Sequence, residues 1–169
     1  MLLRPAEPAD AMNVARVRVR SWQAGYRGLL PDDYLDQLRP EDRAAKYTFG
    51  SPDPDKPATI VAADGGTICG FATVAPARGP DVPGYGELAA LYVDPDYWGR
   101  RIGAALVSAA RTRLVELGFR DAILWVLKGN ARAERFYALD QWVPDGLLRT
   151  QSVWKIVVDE ARYRRALRE

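Results

Sequence analysis

Between Leu91 and Val107 the chain reads LYVDPDYWGRRIGAALV. A strand-like apolar run stops at Pro95 and an aromatic pair follows. Gly99, Arg100, Arg101 and Gly103 then lead into an alanine-rich apolar segment. A helix N-terminus carries unpaired N–H groups and partial positive charge, which suits a phosphate. Gly99 and Gly103 let a ligand approach the backbone closely, and Arg100 and Arg101 offer charge-assisted contacts. On these residues alone the stretch is either an anion site or a tight strand-to-helix turn with solvated arginines.

Several chemistries are excluded. The chain has no histidine, so there is no His-dependent triad, His base or His metal ligand. Its one cysteine, Cys69, can form no intrachain disulfide. Cys69 lies in an apolar strand without a histidine partner and reads as a small buried hydrophobe rather than a nucleophile. The Gly-x-x-x-x-Gly-Lys-Ser/Thr phosphate loop is missing, and no lysine lies between Lys56 and Lys128. The dinucleotide pattern Gly-x-Gly-x-x-Gly is missing too. A carrier held by its pyrophosphate therefore fits the turn better than a nucleotide that gives up its terminal phosphate.

The elements that must hold this turn are readable from period and punctuation. Ile102, Leu106, Ala110, Leu114 and Leu117 recur on one helical face, and Gly118 is a suitable stop. Tyr85–Val93 before it reads as a strand. Ala122–Leu127, AILWVL, is apolar on both faces, as in a buried parallel strand. Strand, helix, strand implies a crossover and a parallel pair. Asn130 caps a short helix reaching Leu139, and Tyr137 follows it by seven residues on the same face. Earlier in the chain, Asp10 is a candidate cap for a helix over Met12–Gln23. In that helix Val14, Val17 and Trp22 are the apolar candidates, with Arg16 and Arg20 outside. Pro31 and Pro40 each suit the first turn of a further helix. Thr59–Ala63 and Thr67–Val74 flank Asp64-Gly65-Gly66 as a hairpin. Gly50–Pro57 and Pro76–Gly84 are loops, and the tail from Gln141 to Glu169 is β-rich.

The 169 residues suffice for one domain over residues 1–169. A net charge of +2 argues for neither nucleic acid nor membrane, and the excess of arginine over lysine, 20 to 4, reads first as a coding bias. The N-terminus lacks the apolar run of a signal peptide, and no stretch approaches the roughly 20 apolar residues of a membrane span. With one cysteine, a cytoplasmic protein is expected.

The segments LYVDPDYWGRRIGAAL and VLKGNARAERFYALDQWVPDG resemble the two signature segments of the GNAT superfamily of acyl-CoA-dependent N-acyltransferases. They stand about thirty residues apart, as in that family. SWQAGYRGLLPDDYLDQL resembles the entrance helices of many bacterial members, so the resemblance covers nearly the whole chain. It implies an α+β fold with a mixed, mostly antiparallel sheet of about seven strands. One pair is parallel, helices lie on both faces, and a β-hairpin closes the fold with its last strand in DEARYRRAL. The family pattern is Gln/Arg-x-x-Gly-x-Gly/Ala. Trp98 takes its first position, Arg101 its middle glycine and Gly103 its last. Arg101 is expected in the first helical turn, where its dihedrals are ordinary.

The resemblance also implies roles. Acetyl-CoA, as co-substrate, would be held by Trp98, Gly99, Arg100, Arg101, Ile102, Gly103 and Ala104. Its pantetheine arm would meet the backbone of Leu91, Tyr92 and Val93, and Asn130. The N–H of Leu91 becomes the candidate oxyanion donor. Glu87, eleven residues before Trp98, becomes the candidate base; otherwise it is a solvated carboxylate on a half-exposed strand. Tyr137 becomes the candidate acid for the leaving thiolate; otherwise it packs in the core like Phe136. Trp22, Tyr26 and Tyr34 sit where the family builds its acceptor wall. No metal is implied.

The expected reaction is acetylation of a primary amine of a small molecule, by direct transfer in a ternary complex. A protein N-terminus as acceptor and a non-catalytic acetyl-CoA-binding module are the alternatives. Nucleic-acid binding through ARYRRALRE is disfavoured by the near-neutral charge and by the strand expected there. A homodimer is compatible with the sequence.

Overall fold

In the computed structural model, which describes residues 1–167, the Asp64–Thr67 turn joins β2 (Ala58–Asp64) to β3 (Thr67–Pro76), with Gly65 in the left-handed region. This hairpin pairs on one side with β1 (Leu2–Pro5) and on the other with β4 (Gly86–Val93). Helix α4 (Ile102–Glu116) carries the chain to β5 (Asp121–Leu127), which lies parallel to β4. After α5 (Ala131–Leu139), strands β6 (Val143–Val153) and β7 (Ile156–Ala166) form the closing hairpin. The sheet has seven strands in the order β1-β2-β3-β4-β5-β7-β6, with β4–β5 its parallel neighbours. This is the mixed α+β architecture expected from the sequence. The expected last strand, Asp159–Leu167, falls within β7 except for its final residue. Arg168 and Glu169, the end of the expected β-rich tail, lie outside the described residues.

Side-chain alternation divides the core. Ala72 and Val74 of β3 face α4, whose Ile102, Leu106, Ala110 and Leu114 are all buried. Phe71, one residue before Ala72, faces Val14 and Val17 of α1 (Ala11–Gly25) on the other side. Full burial of such side chains stabilises by about 1.5–3 kcal/mol each. Gly70 lets α4 settle on β3: a Cβ there would stand 2.9 Å from Leu106 Cδ1 and 3.1 Å from the Tyr92 carbonyl. A third cluster, with Trp22, Leu30, Leu35 and Val158 buried, joins α1 and the short α2 (Asp32–Asp36) to the β6–β7 hairpin. Helix α3 (Pro40–Ala44) packs beside α1, with Pro40 at its first position.

Asp10 departs from expectation. A 3₁₀ turn at Pro8–Asp10 precedes α1, and the Asp10 carboxylate makes no cap bond to the helix. Arg4 takes it at 2.7 and 3.1 Å, and the Glu7 N–H donates to it at 2.8 Å. A bidentate cation outcompetes a single N–H for those oxygens. No helix among the described residues is long and apolar enough to cross a membrane.

Two irregularities in β4 shape the site. Its register with β3 jumps from Thr73↔Ala90 to Val74↔Leu88, which leaves Ala89 as the extra residue of a bulge. Its ladder with β5 consists of Gly86↔Ala122 and Glu87↔Ile123. Beyond Glu87 the two strands part, while β5 stays paired with β7 through Leu127. A gap thus opens in mid-sheet, edged by the backbone of Leu88–Val93.

Candidate active site

The turn after β4 is held from both sides. Asp94 accepts from the Asp96 N–H at 2.9 Å and binds Arg20 of α1 at 2.8 Å. The Trp98 indole N–H donates to the Val93 carbonyl at 2.8 Å, which folds the ring back over the end of β4. The guanidinium of Arg132 lies 3.6 Å from that ring's centroid. Gly99 (φ 78°) and Arg101 (φ 63°) are left-handed, with Arg100 between them. Alternating handedness turns successive N–H groups toward one concavity, an anion-binding nest. The first intrahelical bond of α4 runs from the Ala105 N–H to the Arg101 carbonyl at 3.2 Å. The N–H groups of Ile102, Gly103 and Ala104 therefore have no acceptor within the helix.

Arg101 is thus not in the first helical turn. It is the N-cap, in the left-handed region, because the chain must reverse between Trp98 and Ile102. A side chain there costs about 1–2 kcal/mol relative to a helical conformation. That is the physical content of the glycine usual at this position.

A cleft of about 410 Å³ runs from this turn along β4 to α5. Leu91, Tyr92, Val93, Trp98, Gly99, Arg101, Ile102, Gly103, Ala104, Asn130 and Tyr137 all line it. Arg100 is not among the lining residues, and its guanidinium lies 4.9 Å from the ring centroid of Tyr97. Asn130 caps α5 by accepting from the Ala133 N–H at 3.2 Å and still borders the cleft. Gly103 packs on α5, since a Cβ there would stand 3.3 Å from the Phe136 ring. Arg132 also lines the cleft, and the sequence reading passed over it. Its position two residues after the Asn130 cap, on the face of α5 turned to Trp98, was the available signal.

A second cavity, of about 220 Å³, lies beyond the gap. Glu87, Arg18, Trp22, Trp125, Arg149 and Glu160 are among its walls. Tyr26, Leu88, Ala89, Tyr92, Trp125 and Leu127 border both cavities, so the two meet where β4 and β5 part. Burial pushes the Glu87 carboxyl above its ordinary range; Arg149 pulls it back and Glu160 adds to the rise. Glu160 is itself engaged by Arg149 at 3.0 Å and Gln151 at 2.7 Å. Burial raises Tyr137 far above the ordinary phenol range, with smaller contributions from Tyr92 and Asp140. Tyr26 is raised as well, first by burial and then by the neighbouring Tyr92 hydroxyl.

Trp22 and Tyr26 thus reach the second cavity and Tyr34 does not. The Tyr34 hydroxyl donates to the Trp154 carbonyl, tying α2 to the β6–β7 turn. Cys69 is buried and donates its thiol to the Ala62 carbonyl at 3.2 Å, with its pKa raised by burial. It borders neither cavity.

The chain is 34% identical to an uncharacterized N-acetyltransferase of Archaeoglobus fulgidus over 147 residues, covering 82% of this chain and 90% of the other. It is 29% identical to the uncharacterized N-acetyltransferase YuaI of Bacillus subtilis (strain 168) over 128 residues, covering 76% and 72% respectively. Its fold matches that of yncA from Salmonella typhimurium, solved with its cofactor acetyl-CoA. The TM-score is 0.73 at 18% identity, over 100% of this chain and 95% of the other. A model of the acetyltransferase (GNAT) family matches residues 19–140, from within α1 to just past α5, and the chain belongs to that family as an acetyl-CoA-dependent N-acetyltransferase.

Proposed function

We propose that this enzyme acetylates a primary amine of a small molecule by direct transfer while both substrates are bound. The observation that carries the reading is the pair of cavities meeting at the gap, with Glu87 in the smaller one and the nest and helix start in the larger. The turn residues fit the group to be held. The nest, the three free N–H groups of Ile102–Ala104 and the guanidiniums of Arg101 and Arg132 would hold a pyrophosphate. The unpaired edge of β4 and Asn130 would hold the amides of a pantetheine arm.

Bound acetyl-CoA supplies an acyl group activated as a thioester, which the amine nitrogen attacks, forming a C–N bond as the C–S bond breaks. Two protons leave the nitrogen in all: one from the ammonium, one as the amide forms. One ends on the departing thiol and the other in solvent. Glu87 accepts the first, directly or through water, and burial brings its carboxyl nearer to neutrality as a base. The Leu91 N–H donates to the carbonyl oxygen as negative charge gathers there. Tyr137 keeps its proton throughout the neutral range. The same burial makes it a weak acid, so its main action is a hydrogen bond to the departing sulfur.

The size of the second cavity and the β6–β7 hairpin that walls it, with Gln151, Val153, Val158 and Glu160 among the lining residues, support a small-molecule acceptor. Thiol release from acetyl-CoA with a panel of amines tests the reading. Initial rates against both substrates should give intersecting double-reciprocal lines, and Cys69→Ala should remain active. Parallel lines would mean an acetyl-enzyme. Turnover confined to peptides with free N-termini would remove the small-molecule acceptor.

A further inference from the structure

Two arginines among the described residues are less than a tenth exposed. Arg162, 6% exposed, is held by Asp81 at 2.6 Å and Asp145 at 2.7 Å. Arg18, 7% exposed, has no carboxylate partner among the described residues, and its Nε is buried without a hydrogen bond. A buried cation left unpaired is strongly unfavourable unless something else compensates it. The rings of Trp22 and Tyr92, 5.7 and 5.3 Å from the guanidinium, compensate in part.

Arg18 is not alone. Trp22 Nε1, Arg43 Nε and the Tyr47 hydroxyl are also buried without partners. All four groups can donate hydrogen bonds. They come from α1, α3 and the residues just after α3. Burial lowers the pKa of Arg43, the charge of Arg18 lowers it further, and Tyr47 acts the other way. Arg18, close enough to Arg43 for each to feel the other's charge, turns a positive guanidinium to the second cavity. In the same cavity Glu87 has no cation within ion-pair distance among the described residues, whereas Glu160 is already taken by Arg149. The remaining wall includes Trp22, Leu30, Leu127, Val153 and Val158.

We propose that the acceptor is a small zwitterion, an α-amino acid with an apolar side chain or a close analogue, whose carboxylate binds Arg18 and whose amine is presented to Glu87. This rests on the second cavity being the acceptor site. It assigns Arg18 a binding role: the guanidinium lacks an internal partner because the substrate brings one.

The test uses leucine, methionine and phenylalanine, each beside its amide and its decarboxylated amine. Affinity is measured by calorimetric titration into the full chain saturated with CoA, and kcat/KM by thiol release from acetyl-CoA. The acid should be preferred over the amide by about 10- to 100-fold, the range of a charge-assisted hydrogen bond. The preference should vanish in Arg18→Met and survive in part in Arg18→Lys. Arg18→Met should not lower the melting temperature, because no ion pair is lost. A purely structural arginine would instead destabilise on replacement and leave the acid-to-amide ratio unchanged. If Arg18→Met fails to fold, the wild-type ratio and Arg18→Lys decide. Equal use of acids, amides and plain amines would overturn the inference and leave amine acetylation standing. Acid-selective, Arg18-dependent binding without turnover of any amine would do the reverse. Saturable binding of none of the three acids overturns the inference as well.

Discussion

Replacing Glu87 by Gln removes one charge while keeping the shape of the side chain, so its effects on rate and on stability should have opposite signs. A general base typically contributes about 10²–10⁴ in rate, which is about 3–5 kcal/mol of barrier. An alkyl amine with a pKa near 10 is about 0.1% unprotonated at pH 7. The loss should therefore be largest near neutrality and shrink as pH approaches the amine pKa. The rising limb of the wild-type profile should lie above the ordinary carboxylate range, because burial raises Glu87. The same shift bears on folding. A raised carboxyl contributes stability that is fully present below its unfolded pKa and is lost as pH rises through its folded one. At neutral pH the wild type carries that loss and the Gln variant does not. The variant should melt higher at pH 7, and the difference should fade near pH 4. The assays are pH–rate profiles with one accepted amine and thermal unfolding of both proteins at the two pH values. A Gln variant with the wild-type profile removes Glu87 from proton transfer. A variant that melts lower at pH 7 means that the attraction of Arg149 outweighs burial.

Tyr137→Phe should lower kcat by about 10- to 100-fold, the value of one hydrogen bond to a charged group. The loss should be flat across the neutral range with CoA affinity unchanged, and a fully active variant would reduce Tyr137 to packing. Gly103→Val should weaken acetyl-CoA binding at least tenfold, about 1.4 kcal/mol, by driving a side chain against Phe136 and into the cleft. Unchanged calorimetric affinity in a folded variant would displace the binding site from this turn. Arg101→Gly should leave stability nearly unchanged, because relief of the left-handed side chain, about 1–2 kcal/mol, is largely offset by the greater chain entropy of glycine. It should weaken CoA binding by about three- to tenfold as a phosphate partner is lost. A gain in affinity would instead mean that Arg101 obstructs the site.

The parts of the fold that were legible are those with an unbroken period. Ile102, Leu106, Ala110 and Leu114 repeat every four residues and are all buried. Ala122, Ile123 and Leu124 are buried in succession, as a covered parallel strand requires. The resemblance supplied the closing hairpin with its last strand in DEARYRRAL, but that β7 lies between β5 and β6 came from the structure, since alternation records which face is buried and not which strand lies alongside. The residues that escaped depend on backbone dihedrals or tertiary neighbours, neither of which a residue's type reports. Arg101 takes its dihedrals from the reversal between β4 and α4, and one residue's type does not report them. Arg18 lies four residues after Val14 and four before Trp22, on the buried face of α1. A cation in that row was the visible signal, obscured by reading arginines as outward by default. The second cavity is assembled from α1, β4, β5, β6 and β7, whose meeting no local pattern encodes.

The parting of β4 and β5 bears on how cooperatively the protein holds together. Strands β1–β4 and strands β5–β7–β6 share the Gly86–Ala122 and Glu87–Ile123 pairings, with α4 packed across both groups. In most sheets the strand ladder itself resists opening; here that stretch of ladder is left to whatever occupies the gap. A pantetheine arm bonded to the free edge of β4 would act as a temporary strand and weld the two blocks together. A ligand at one hundred times its Kd adds about 2.7 kcal/mol to stability. In hydrogen exchange, that protection should concentrate on the amides of 88–93. Each round of catalysis then alternates between a stiffer protein with its ligand in place and a looser one after release, so the site's rigidity is supplied by the molecule it consumes.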